Sequence, residues 1–377
     1  MYSLMNKPID EIKHIYYRIT LIFTIIFFLV ACAPSTSLPI IQTEESIQTD
    51  ISIPVTAAIE LPPLPDTFQT ALINPLDIPH TYVDDTCRYL RNKWNPLNAE
   101  PGTVVMILMI GRIQTGAVTD PNGINVVDFM KTMQELKAQG FEAINMREFL
   151  FFIERNVIIP PRSVLIIQDG NYEQEYFVKN YREYWDKWGW PVVNGWQSDL
   201  ETPTALQREN IIMEGEGWVD HQSQGVLSDT KMSDESGKTV IARELRDPLK
   251  YFGANYGKTP YAFIWPNGGF GLRPVEAARL LDYQLGFTTN PRGPVMYNWI
   301  PLADELDPER PEYMPEGQIN DPLMTLPRYK INEAFTAIDQ VRAIGEAAAA
   351  YAQANKAMEH KYYEIVCSEA YGPMPTP

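Results

Sequence analysis

The sequence predicts an α/β protein built on a parallel sheet, either a barrel or a doubly wound sheet. Strand and helix patterns alternate from Gly102 to Thr289, the order that builds parallel sheets with helices outside. The strand patterns are uninterrupted apolar runs such as Val104–Ile110 and Val164–Ile167, as expected for strands covered on both faces. A composition of 45% hydrophobic and 21% charged residues over 377 positions supplies a sizeable core. No internal repeat is present.

The elements follow in order. Val104 to Ile110 is a strand. Asn125 can cap a helix whose apolar positions Val126, Phe129, Met130, Met133 and Leu136 keep helical spacing up to Gly140. Phe141 to Ile144 is a short strand, and Arg147 to Asn156 a helix ended ahead of Pro160 and Pro161. A strand from Ser163 precedes a helix through Glu173 to Trp188. Pro191–Trp196 is the next strand, and Thr202-Pro203 opens a helix. Trp218–His221 is a strand, Lys238–Tyr256 a helix kinked at Pro248, and Tyr261–Trp265 a strand. Pro274–Gln284 is a helix and Gly286–Thr289 a strand. Residues 291–328 are proline-rich and aperiodic, a long excursion around the barrel mouth. Glu333–Tyr363 is an Ala-rich helix with Phe335, Ile338, Val341, Ala348 and Ala352 as its apolar stripe.

The N-terminus has a different character. Lys7, Lys13 and Arg18 precede an apolar run from Ile19 to Ala31, short for a span and typical of a signal-peptide core. The run ends in Leu29, Val30, Ala31, Cys32, which resembles a bacterial lipobox and implies cleavage after residue 31 and lipidation of Cys32. An uncleaved anchor is the other reading; either places the folded part outside the cytoplasm. Residues 32–80, rich in Ser, Thr, Pro and acids, are expected to be a disordered tether, and 81–102 an ordered lead-in. Two cysteines then remain, Cys87 and Cys367. In an oxidising compartment they are expected to form one disulfide, the alternative being two separate buried thiols. A net charge of −17 argues against nucleic acid and against electrostatic attachment to anionic lipid.

The richest stretch is Ser163–Tyr172, SVLIIQDGNY, in which an apolar strand ends on Gln168, Asp169 and Gly170. A carboxylate at such a tip points into the face where barrel enzymes keep their chemistry. The stretch resembles the first motif of the polysaccharide deacetylase (NodB-homology, carbohydrate esterase family 4-like) family, Thr-Phe-Asp-Asp-Gly-Tyr. The resemblance runs over roughly 103–330 and implies a distorted (β/α) barrel, with 331–377 a C-terminal helix and tail. It also implies metal-assisted hydrolysis of a glycan acetamide, in which the second Asp of the motif and two His hold the metal and the first Asp is the base. Asp169 matches the metal-binding Asp, or is a strand-end carboxylate hydrogen-bonded into the Asn171 turn. Gln168 stands at the base position, where an amide cannot accept the proton.

The remaining motifs are partial. Trp218–Gly225, WVDHQSQG, resembles the His-x-x-x-His motif, with His221 at the first metal position and Gly225 at the second. The alternative for His221 is a partly buried, hydrogen-bonded histidine. Trp265, Pro266, Asn267 and Gly268 resemble the groove-lining Tyr-Pro-x-Gly loop, so Trp265 either stacks on a sugar or fills the barrel mouth, and Asn267 joins the substrate set with Tyr172. Leu326-Pro327-Arg328 resembles the late Leu-x-Arg strand; Arg328 either orients a carboxylate such as Asp169 or lies on the surface. Met109 to Ile113 resembles Met-Tyr-His-Arg-Ile, with Gly111 in place of the His. Trp185, Trp188, Trp190 and Trp196 read as core or as a sugar platform.

There are four histidines, and of His14, His80, His221 and His360 only His221 is well placed. A zinc site needs about three protein ligands, and Asp169 with His221 makes an incomplete pair. No nucleophile elbow, Cys-x-x-Cys pair or phosphate loop is present. The expectation is therefore a lipid-anchored, extracytoplasmic, deacetylase-like protein that binds a peptidoglycan- or chitin-like glycan without catalysis and without a cofactor. The alternative is a zinc-dependent de-N-acetylase with a rearranged site that recruits carboxylates such as Asp199 or Asp229.

Overall fold

The computed structural model describes residues 61–376. The signal peptide, Cys32, His14 and the first part of the tether lie outside the described residues.

Strand β1 (Asp77–His80) and helix α1 (Thr86–Lys93) lead into β2 (Val104–Ile110). A small parallel ribbon, β3 (Arg112–Gln114) and β4 (Gly123–Asn125), follows the tip of β2. Helix α2 (Val126–Ala138) begins where the Asn125 side chain accepts the Val127 N–H. Then come β5 (Glu142–Ala143) and α3 (Met146–Arg155), whose start is a reciprocal cap between Asn145 and Glu148. The core continues as β6 (Arg162–Asp169), α4 (Gln174–Trp188), β7 (Val192–Trp196), α5 (Thr204–Glu216), β8 (Val219–Ser223), α6 (Lys238–Asn255), β9 (Ala262–Ile264), α7 (Leu272–Leu280) and β10 (Leu285–Phe287). Helix α6 is continuous through Pro248, which is buried.

The sheet is parallel in the order β10-β9-β8-β7-β6-β2, and it curls. One short segment meets both of its edges: Leu326 lies beside Phe287, and β13 (Tyr329–Lys330) pairs with β2. The molecule is thus an α/β protein with a curled half-barrel sheet. On β2 and β6, Met106, Leu108, Val164 and Ile166 face helices α2, α4 and the C-terminal helix α8 (Ile331–Tyr362). Ile107, Leu165 and Ile167 meet α3 and the far strands. Two covered faces explain the unbroken apolar runs.

The structure departs from expectation in three places. The excursion after residue 290 carries β11 (Val295–Met296), antiparallel to β2, and β12 (Ile300–Ala303), antiparallel to β1. The end of the presumed tether is therefore part of the fold. Asp77 anchors it: this buried carboxylate lies 3.0 Å from Arg292 and 2.8 Å from Arg310, and Arg292 also holds Glu316 at 3.1 Å. On α8, Ala334 faces the core in place of Phe335, which is 48% exposed. Beyond α8 the backbone widens into a π turn, Tyr363–Cys367, and Cys367 is disulfide-bonded to Cys87.

Candidate functional site

The strand tips gather the residues that the sequence singles out, and strand alternation sends them to different faces. Asp169 points inward. Its carboxylate is held by Arg328 at 2.6 and 3.1 Å, and Arg328, fully buried, also donates to the Thr288 carbonyl at 2.7 Å. This bidentate pair is the orienting role considered for Arg328.

Gln168 points outward, into the layer beneath α4. Its Nε2 donates to the carbonyls of Ile110, Gly111 and Asp169 at 2.9–3.0 Å. Its Oε1 accepts from the hydroxyls of Tyr181 at 2.6 Å and Tyr176 at 3.0 Å. The surroundings demand a donor on one side and an acceptor on the other, which an amide supplies and a carboxylate does not. Gln168 is a structural amide and does not face the mouth.

His221 is a correction to the expected ligand pair. It sits in register with Asn194 and, through it, with Gln168, on the outward row. The ring is fully buried: Nδ1 lies 2.8 Å from Glu214, Nε2 2.9 Å from Asn210, and the plane stacks on Tyr256. Burial pushes its pKa down, and this outweighs the Glu214 carboxylate that pulls it up. Burial alone would raise Glu214, but the hydrogen bond with His221 and the ammonium of Lys258, 2.6 Å away, take it below its usual value. Both ring nitrogens face acceptor oxygens, because Asn210 spends its Nδ2 on the carbonyls of Tyr172 and Leu206 and turns its Oδ1 to the ring, while Lys258 lies on the other oxygen of Glu214.

The inward row at the same level is Asp169, Gly195 and Gln222. Beyond Gln222 the next inward side chain is Gln224, which lies over Gly195 and accepts the Gly170 N–H at 2.9 Å. Gln197 approaches the same oxygen at 3.3 Å, and Asn171 and Gln197 exchange hydrogen bonds at 2.8 and 2.9 Å. Around the Asp169–Arg328 pair the mouth is thus lined by neutral amides. The sequence reading missed Gln224, Gln197 and Asn171 as site residues. The signal lay in the alternation of WVDHQSQG: Val219 and His221 share the apolar face, so Asp220, Gln222 and Gln224 take the other.

The positions where the resemblance expects further ligands are sterically closed. Gly225 has φ +80°, and a Cβ there would lie 2.8 Å from Glu244 Oε2. Glu244, fully buried, accepts the Val226 N–H at 2.7 Å and pairs with Arg243. A Cβ at Gly111 would press on Asn122 at 2.9 Å. Asp229 is exposed, and Asp199 accepts the Glu201 N–H in a local turn. Among the described residues no group of three or more His, Cys, Asp or Glu is arranged to hold a metal ion.

The divalent metal implied by the resemblance therefore does not fit this donor set. Both oxygens of Asp169 are taken by a guanidinium, whose charge opposes a dication beside it. Both ring nitrogens of His221 are taken on the far face of the sheet.

Trp265 is also corrected: it is fully buried among Phe263 and Tyr283 and donates to the Met324 carbonyl at 2.8 Å, so it presents no face to a sugar. Asn267 is exposed and ties its loop to the Ser228 carbonyl at 2.9 Å. Tyr172 is half-buried, stacked on Tyr176 at 4.1 Å, with its hydroxyl on the Gly111 carbonyl. Trp190 and Trp196 are core residues, and Trp185 and Trp188 pack against the core.

No family model matches the chain, and no curated protein matches it. Among solved structures it is similar to the deacetylase PplD of Streptococcus pyogenes, at 17% identity and TM-score 0.49, over 64% of this chain and 99% of that one. It is also similar to a de-N-acetylase from Aggregatibacter actinomycetemcomitans, at 14% identity and TM-score 0.49, over 63% and 99% of the two chains. IcaB from Ammonifex degensii is similar at 14% identity and TM-score 0.47, over 65% and 98%. These are likenesses of fold.

Proposed function

We propose that this chain is a deacetylase-like cell-envelope protein that binds a glycan at its strand-tip mouth and does not hydrolyse it. The observation that carries the reading is the state of Asp169, clamped by a buried Arg328, with Gln224 on the N–H of the next residue, Gly170, and Gln197 and Asn171 bonded on from there. The clamp commits both oxygens of Asp169 to the guanidinium. Amides both donate and accept, which suits hydroxyl- and acetamide-bearing ligands, and their neutrality suits uncharged sugars. Tyr172 on the rim offers a half-buried ring.

The envelope location rests on the sequence of residues 1–32. Under this reading Cys32 carries the lipid, and Cys32→Ala releases the protein from the membrane fraction. Glycan binding is tested by retention on insoluble peptidoglycan and chitin. Replacing Asn171 and Gln197 together with alanine is expected to weaken retention about tenfold, each lost hydrogen bond contributing roughly 0.5–1.5 kcal/mol. Acetate release from an N-acetylated oligosaccharide in the presence of zinc would overturn the proposal.

A further inference from the structure

At the opposite end of the barrel from Asp169, beneath the start of β2, lies a cavity of about 140 Å³. It is walled by α1, by α8, by the Pro65–Phe68 arm and by the Met296–Trp299 turn. Its volume is close to that of a cavity known to admit one six-membered ring, about 150 Å³. Aromatic side chains line it: Phe68, Tyr89, Tyr297, Trp299 and Tyr351.

The polar groups in its wall point to the ligand class. Asn156, Thr103 and Asn298 line it and are only 3%, 4% and 6% exposed. Asn156 spends its Nδ2 on the carbonyls of Asn92 and Ala99, and Asn298 spends its Oδ1 on the N–H groups of Tyr82 and Val83. Among the described residues no partner is found for Asn156 Oδ1, Asn298 Nδ2, the Thr103 hydroxyl or the Tyr89 hydroxyl. Acceptor and donor capacity thus remain unused around an aromatic enclosure. An acyl chain would leave these groups unsatisfied. The one buried carboxylate of the lining, Glu359, is paired with Lys93 at 2.8 Å and accepts from Trp94 on its second oxygen, and the other two, Asp66 and Glu100, are exposed, so no buried charge is left free for a charged ligand.

We propose that this cavity is a second binding site, for one neutral, hydroxylated six-membered ring, namely a single pyranose unit. It is separate from the mouth and does not depend on the mouth's function.

The test titrates the detergent-solubilised full chain with D-glucose, D-galactose and N-acetylglucosamine by ligand-observed NMR. At least one sugar is expected to bind saturably. Thr103→Val and Tyr89→Phe keep the wall's shape and remove one hydroxyl each, so each should weaken that binding about 3- to 10-fold. Ala352→Phe, which fills the cavity, should abolish it with the circular dichroism unchanged. Asn171→Ala at the mouth should leave it as it is. Failure of all three sugars to saturate would mean that the cavity holds water only and would overturn the proposal. So would binding that persists in both hydroxyl-deleted variants, or that falls with Asn171→Ala instead.

Discussion

Gln168 has three carbonyl oxygens around its nitrogen and two phenol hydroxyls on its oxygen. Gln168→Glu would turn a donor into a charge facing those carbonyls. It should lower unfolding stability by about 3 kcal/mol in denaturant titration, without producing hydrolysis. His221 offers a pH test. Burial holds its pKa below the unfolded value of about 6.5. The unfolded chain therefore binds the extra proton first, and the stability linked to this lowered pKa is complete above the unfolded value and lost as pH falls below it. Thermal melts between pH 8 and 5 should fall more steeply for the native protein than for His221→Gln. The identities of Gln168, Asp169, His221 and Gly225 were readable from the motifs. Which face each side chain takes was not, because one step along a strand reverses it. His221 looks like a ligand in a spacing pattern and is a packed, hydrogen-bonded group in the fold.

The elements were the most legible level. Helix starts follow side-chain caps at Asn125 and Asn145, and central strands follow unbroken apolar runs. Strand β1 was hidden because its order comes from partners far along the chain: Asp77 meets Arg292 and Arg310 at separations of 215 and 233 residues. No local pattern announces that. Asp77→Ala leaves two arginines without their shared carboxylate, one of them fully buried. It should cost about 3–5 kcal/mol and expose the 61–80 arm to proteolysis. The Cys87–Cys367 link spans 280 residues and joins α1 to the π turn beyond the C-terminal helix. Replacing both cysteines with serine should lower stability by about 2–4 kcal/mol, read as a lower melting temperature that no longer responds to reductant.

At the scale of the whole molecule, the parallel curled sheet sets one end as a mouth and the other as a base. The strand tips at the mouth carry the Asp169–Arg328 ion pair and neutral amides. A net charge of −17 argues against nucleic acid as a partner. The central claim, binding without hydrolysis, is tested most directly by native mass spectrometry of the full chain mixed with an N-acetylated oligosaccharide and zinc. The account predicts a metal-free complex that carries the oligosaccharide with every acetyl group intact. A protein loaded with one zinc and an oligosaccharide shortened by an acetyl group would contradict it, as would the absence of any complex.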